Sequence, residues 1–311
     1  MLNIPFRCEK SIVINKHISL VAPVVGNFHT WDAWSPWLCM EKDCAPKIHG
    51  SIGEPGHRQE WDGTRIGSGS MKMTAATETS FDYDLQFLKP WKSSSKVKFT
   101  FDGTGGETKI TWAMRSGLPV FLGFMIKTTK AMVESDFDRG LKMLKEYLET
   151  GTVVSDTEVT GMKEKDGFYY VGLRKASSIE DMPAAMSKDF GKLMEMIKEG
   201  DLQEPLDCVA FYHKYDLIKQ RCEFTSALVY EQPPENTHGL ISSMVPDHRV
   251  VQSVHTGSYL HLGNAWSATM AEQRSNKSKM NKKIPWYERY VNNPEEVDAD
   301  ELITEINIPI K

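Results

Sequence analysis

The chain of 311 residues has few of the features that mark metal, redox or membrane proteins. Its five cysteines, Cys8, Cys39, Cys44, Cys208 and Cys222, are scattered, and none forms a CxxC pair. The nine histidines form neither HExxH nor HxH. No metal site is therefore read, and the thiols are expected to be reduced. Long apolar runs are also missing: residues 18–28 and 117–126 each hold a proline and fall well short of the roughly 20 residues of a spanning helix. No membrane partner is expected. Residues 1–10 carry no apolar stretch behind a basic start, so no secretory signal is read and a cytoplasmic location is expected. Excess positive charge is absent too. Lys+Arg total 37 against 42 Asp+Glu, a net charge of −5, which argues against nucleic acid as a partner. The glycines at 50–56 and 67–69 do not make GxGxxG, no GxSxG elbow occurs, and no cysteine sits beside a recognisable base. No cofactor is expected.

What remains is an ordinary globular composition, 40% hydrophobic and 25% charged, at a length that favours two domains. In the first, residues 11–15 read as a strand and 20–34 leave room for a helix. From Trp61 to Met114 the period is two: Phe81, Tyr83, Leu85 and Phe87 share a face, as do Val97, Phe99 and Phe101, and then Ile110, Trp112 and Met114. Asp102-Gly103 and Gly105-Gly106 are hairpin-turn chemistry. Phe137, Leu141, Leu144 and Leu148 then mark an amphipathic helix that closes near Gly151. A curved antiparallel sheet with a long helix across it buries these one-sided strands.

Residues 151–156 read as a linker between domains at 1–152 and 157–311. The second domain shows strands at 157–162 and 168–174, a helix at 186–198, and strands at 208–215 and 223–229. A second cycle follows: strand 249–256, helix 259–273, strands 286–291 and 301–308. Element order suggests two copies of a βαββ unit, with 207–212 answering to 285–290. Both helices are expected on one face of a shared sheet, leaving a concave opposite face for a small molecule.

Within the second domain, Trp286, Glu288 and Tyr290 share one face of their strand, and Tyr287, Arg289 and Val291 take the other. A carboxylate between two aromatics can neutralise a cation stacked on the rings. Alternatively, the rings desolvate it and raise its pKa for acid–base work, or it simply pairs with Arg289 on a wet face. Gly257 and Ser258 can turn strand into helix, with Ser258 as N-cap. His255 beside them reads as structural, and Trp266 as core or pocket wall. In the first domain Trp31, Trp34 and Trp37 either line the mouth of an apolar cavity or form a packing collar, and Pro36 should end the helix there.

With these residues in view, residues 4–150 resemble the START-like superfamily that includes polyketide cyclases (SRPBCC, helix-grip fold). The likeness lies in residues 9–15, the tryptophan-rich 31–37, 67–71, 107–112 and the helix with Asp136-Phe137. It implies a hydrophobic cavity, to which Trp34 and Trp37 would contribute. Residues 157–311 are similar to the GyrI-like small-molecule-binding domain, related to the effector-binding domains of AraC- and MerR-type multidrug regulators, through 255–259, Ala265-Trp266, 286–290 and 304–310. That resemblance implies a pocket in which the glutamate at Glu288 meets cationic ligands among aromatic rings. The helix-turn-helix of such regulators is missing.

The sequence thus points to an α+β protein: an N-terminal helix-grip domain and a C-terminal duplicated βαββ domain. The expected function is binding, for sensing or sequestration, of a hydrophobic, aromatic or cationic small molecule. Glu288, Trp286, Tyr290, Trp266, Tyr259 and Tyr212 would bind it. The alternative is a hydrolase acting on electrophilic, cyclopropane-type molecules with Glu288 as general acid or base. A protein partner of the START-like domain is a third possibility that names no particular protein.

Overall fold

The computed structural model describes residues 3–311. They form two compact units, one ending at Val153 and the other beginning at Val154. Among the described residues no helix is long and apolar enough to cross a membrane, and the five cysteines are free.

The first unit is a seven-stranded antiparallel sheet with one long helix. Its strands are β1 (Asn3–Ile14), β2 (Lys47–His49), β3 (Arg58–Asp62), β4 (Ser68–Thr77), β5 (Ser80–Lys89), β6 (Ser93–Thr104) and β7 (Glu107–Pro119), in the order β1-β7-β6-β5-β4-β3-β2. The hairpin between β6 and β7 turns at Gly105 and Gly106, with φ of 61° and 96°, a left-handed pair that favours glycine at both positions. Asp102-Gly103, expected in a turn, instead extends β6. β1 is longer than 11–15 because Arg7, Glu9 and Lys10 alternate with half-buried Phe6 and buried Cys8, and charge masks the period. Residues 20–34 do not form one helix. Helix α1 (Ile18–Val25) contains Pro23 and ends at Gly26, and Phe28–Ala33 is a 3-10 turn.

Helix α2 (Ile126–Thr150) buries Phe137, Gly140, Leu141, Met143 and Leu144, and Gly151 closes it at φ 91° with its N–H donating to the Tyr147 carbonyl. Between α2 and the sheet lies a block of rings. Trp112 stacks on Phe137 at 4.3 Å, and Trp34 sits 4.5 Å from Trp31 and 5.9 Å from Trp112. Trp31, Trp34, Phe99 and Trp112 are each at most 1% exposed. The indole N–H groups of Trp34 and Trp112 are buried without a hydrogen-bond partner, a cost that ring packing must outweigh.

The second unit is an eight-stranded antiparallel sheet: β8 (Ser155–Lys165), β9 (Phe168–Ser178), β10 (Asp207–Asp216), β11 (Arg221–Tyr230), β12 (Ile241–Val245), β13 (His248–Gly257), β14 (Trp286–Tyr290) and β15 (Ile303–Ile310). Helices α3 (Met182–Lys198) and α4 (Leu262–Ser275) follow β9 and β13. The linker expected over 151–156 gives way to β8 at Ser155. The order β12-β9-β11-β10-β14-β15-β13-β8 has a pseudo-twofold centre between β10 and β14. There, 207–212 does answer to 285–290: Cys208 pairs with Tyr290, Ala210 with Glu288 and Tyr212 with Trp286. The copies are larger than βαββ, because β8 and β12 each precede a repeat and pair with the first strand of the other one.

That exchange dictates the shape of this sheet. β8 and β9 lie near opposite edges yet are joined through Asp166 and Gly167 alone, so the sheet curls until its edges meet. The Gly167 N–H accordingly donates to the Asp247 carboxylate at 2.7 Å. The concave face without helices, expected to hold the ligand, is filled by its own side chains: Tyr170 lies 4.7 Å and Tyr287 5.7 Å from Phe211, and His248 bonds the Tyr287 hydroxyl at 3.0 Å. This corrects the sequence reading. Glu288 occupies the other, helix-bearing face.

Gly140 tests the packing of the first unit. A Cβ there would stand 2.9 Å from both Pro36 Cδ and Trp112 Cζ3, two rigid groups. Gly140→Ala is therefore expected to lower stability by about 1–3 kcal/mol in chemical denaturation. A gain of about 1 kcal/mol, the usual return for Gly→Ala in a helix interior, would show that the rings are loosely packed.

Candidate functional site

Period-two geometry puts Trp286, Glu288 and Tyr290 of β14 on the face that α3 and α4 cover. Tyr212 of β10 reaches the same place because it pairs with Trp286. From α4 comes Trp266, and from α3 come Met186 and Phe190, whose ring lies 5.5 Å from that of Tyr290. Tyr259 arrives through the turn ahead of α4. Gly257 has φ of 127° and no room for a Cβ, which would lie 2.4 Å from the Val154 carbonyl oxygen. The Ser258 hydroxyl accepts from the Leu260 N–H at 3.3 Å, as an N-cap should. His255, fully buried, bonds Thr157 at 3.5 Å and the Ser258 carbonyl at 3.2 Å and so braces this turn. Tyr259 then stands 5.6 Å from Tyr290.

Glu288 is 3% exposed. Its Oε2 accepts from the Tyr290 hydroxyl at 2.7 Å and the Tyr212 hydroxyl at 2.9 Å, and its Oε1 accepts from Trp266 Nε1 at 2.5 Å. All three donors are neutral. Arg289, which sequence alone left as a possible partner, pairs with Asp207 instead. Burial is the largest influence on Glu288 and raises its pKa above the ordinary carboxylate value; the bonds from Trp266, Tyr290 and Tyr212 pull it back only in part. Burial also raises both tyrosines, with the Glu288 charge adding to it, and it pushes Tyr259 up to about 12. The three hydroxyls stay protonated at neutral pH, and those of Tyr212 and Tyr290 serve as donors.

Over this carboxylate the rings are only half-buried. Trp266, Trp286, Tyr259 and Tyr290 all keep some solvent exposure, and Trp266 and Trp286 are 6.1 Å apart with planes tilted by 36°. A negative group at the base of partly open aromatic walls can attract a flat cation, or can pass a proton at a pH nearer neutrality than a free glutamate. Six of the eight residues singled out in the sequence, Glu288, Trp286, Tyr290, Trp266, Tyr259 and Tyr212, meet here. Trp34 and Trp37 belong to the first unit: Trp34 is packed among rings, and Trp37 donates its indole N–H to Asp136 at 3.2 Å. Phe190 was not singled out, because α3 gives no sign in sequence of which strand it will cross.

Two curled or curved antiparallel sheets, one gripping a long helix and one carrying a duplicated unit, define a two-domain α+β chain. Residues 5–149 match the family described as polyketide cyclase / dehydrase and lipid transport. Residues 161–311 match the GyrI-like small molecule binding domain, so the order is that expected from sequence. Together the matches support small-molecule binding. No curated protein matches the chain. Among solved structures, EcmrR in its complex with DNA is 19% identical over 62% of this chain and 69% of its own, with a TM-score of 0.42. The C-terminal domain of EcmrR is 20% identical over 50% of this chain and 98% of its own, with a TM-score of 0.38. The Aha1 dimer from Colwellia psychrerythraea is 16% identical over 47% and 98%, with a TM-score of 0.36.

The raised pKa has a measurable consequence. The native state holds the Glu288 proton more tightly than the unfolded chain does. This stabilising contribution is complete below the unfolded value of about 4.3 and is lost as pH rises through the elevated native value. The stability of wild type relative to Glu288→Gln should thus fall across that window, by about 1.4 kcal/mol for each pH unit of elevation. A difference that stays constant from pH 4 to pH 8 in paired denaturation curves would show that Glu288 is not perturbed.

Proposed function

We propose that the second unit binds a flat, aromatic, positively charged small molecule over the Trp266–Trp286 and Tyr259–Tyr290 walls, with Glu288 as counter-charge. The observation that carries this reading is a buried carboxylate whose three hydrogen-bond donors are all neutral. A buried anion without a cationic partner is costly to the fold. An arriving cation removes that cost and gains cation–π contact with the rings. The bond from Trp266 anchors the carboxylate, so the site is organised before the ligand comes. Sensing or sequestration follows from this chemistry without a bond being broken. No ligand is proposed for the first unit, whose interior is occupied by the packed rings of Trp31, Trp34, Trp112 and Phe137.

The raised pKa also favours a second reading, in which Glu288 holds or takes a proton during hydrolysis of an electrophilic cyclopropane compound. Tyr290 or Tyr259 would orient the substrate. Ring-opened product above the buffer rate, absent with Glu288→Gln, would establish the hydrolase in place of the binder.

The binding proposal is checked with an isosteric pair, N-methylquinolinium and neutral 1-methylnaphthalene, titrated by tryptophan fluorescence. Wild type should prefer the cation by about tenfold or more, since a desolvated cation–π contact contributes about 2 kcal/mol and the Glu288 charge adds to it. Glu288→Gln should lower the preference to what the rings alone supply, and binding of the cation should weaken as pH falls through the raised Glu288 value. Equal affinity of wild type for both compounds would remove Glu288 from the site.

A further inference from the structure

One end of the first unit's sheet is apolar and exposed. Strand register places three chain segments there: Phe87 pairs with Ser93, Lys96 with Arg115 and Asn3 with Pro119. The β5–β6 turn and the 3-10 segment Val120–Met125 therefore lie at the same end of the sheet. The end of β5 exposes Leu88 at 55% and the turn after it Trp91 at 66%; the segment exposes Phe121 at 68% and Phe124 at 81%. The segment is not a loose loop. Gly123 lies so close to β1 that a Cβ would stand 2.7 Å from Ile4 Cδ1, which leaves the two phenylalanines outward while the backbone is held. An apolar patch of this kind marks an interaction surface.

The charge around it identifies the partner. The chain is acidic overall, yet from Ile110 to Val133 there is no Asp or Glu, while Arg115, Lys127 and Lys130 fall in that stretch; Lys130 also pairs with Glu134 at 3.6 Å. Lys127 and Lys130 are exposed and lie in the first turns of α2, directly behind Phe124, where the helix dipole adds positive potential. Lys92 in the β5–β6 turn is exposed beside Trp91. Just inside the same end, Arg115, Ser94 and Ser116 line a groove between β5, β6 and β7 that also holds Lys96 and Asp84. Exposed aromatic side chains at a tip, with lysines flanking them in the chain, are the composition of a surface that enters the headgroup region of an anionic bilayer: the rings take the acyl boundary and the amines stay with the phosphates. The acids at this end, Asp62, Asp84 and Glu134, are each paired with a lysine of the same unit, Lys89, Lys96 and Lys130, so that Lys92, Arg115 and Lys127 leave positive charge in excess there, a balance that suits an anionic surface.

We infer that this end of the first unit docks on anionic lipid membranes, inserting Phe121 and Phe124 with Lys127 and Lys130 at the headgroups. The want of a spanning helix concerns crossing a bilayer and leaves peripheral attachment open.

Vesicle flotation of the full chain tests this, using phosphatidylcholine alone and phosphatidylcholine mixed with phosphatidylglycerol. The protein should float with the mixed vesicles and release as salt is raised. Phe121→Ser/Phe124→Ser should lower partitioning by about tenfold or more, and Lys127→Gln/Lys130→Gln by about fivefold or more at low salt. Both variants should melt with wild type, because the altered side chains are exposed. No flotation, equal flotation on neutral vesicles, or partitioning unchanged in both variants would overturn the inference. So would concentration-dependent self-association without vesicles that Phe121→Ser/Phe124→Ser abolishes, which would assign the patch to a second copy of the chain.

Discussion

A single carboxylate without a cation organises the second unit. Burying a charge is tolerable only where hydrogen bonds replace water, and Glu288 receives three, from β10, β14 and α4. These bonds tie both halves of the duplicated fold to one atom group at the pseudo-twofold seam. They satisfy the oxygens as acceptors and leave the net charge uncompensated. The same arrangement thus stabilises the fold in part and leaves a charge uncompensated, which is the basis of the proposed cation binding.

The curl of the sheet decides where that demand can be met. Because β8 and β12 pair across to the opposite repeat, the helix-free face closes upon Phe168, Tyr170, Phe211 and Tyr287. In the proposed reading a ligand approaches from the helix-bearing side. On that side the rings around Glu288 remain partly exposed. Topology, through two edge strands, selects which of two aromatic faces is solid core and which stays open.

Much of this could be read in advance, for definite reasons. Strictly alternating segments such as Phe81–Phe87 or Trp286–Tyr290 carry their faces in their spacing, and the Phe137–Leu148 helix shows both its period and its glycine cap. Glu288 was visible as a lone acid between aromatics. What could not be read depends on pairing between distant segments. β12 exposes four of its five residues and has no alternation to detect. The filled concave face follows from an edge exchange that no local pattern records. Phe190 joins the site only because α3 crosses near Tyr290. In the first unit, the tryptophans of 31–37 admitted two readings, cavity mouth or packing collar. Local sequence cannot separate them, because the difference lies in how deeply Trp112 and Phe137 fill the space opposite.

The state of the Glu288 carboxylate can be observed without any ligand. In protein labelled with ¹³C at the glutamate δ-carbon, the Glu288 resonance is identified by its loss in Glu288→Gln and followed through a pH titration. A midpoint above the ordinary glutamate value of about 4.3 is expected, with the Trp266 indole proton shifting in the same step. A midpoint at or below that value would mean that water or a cation already compensates the charge, and the account of a buried anion awaiting its partner would be contradicted.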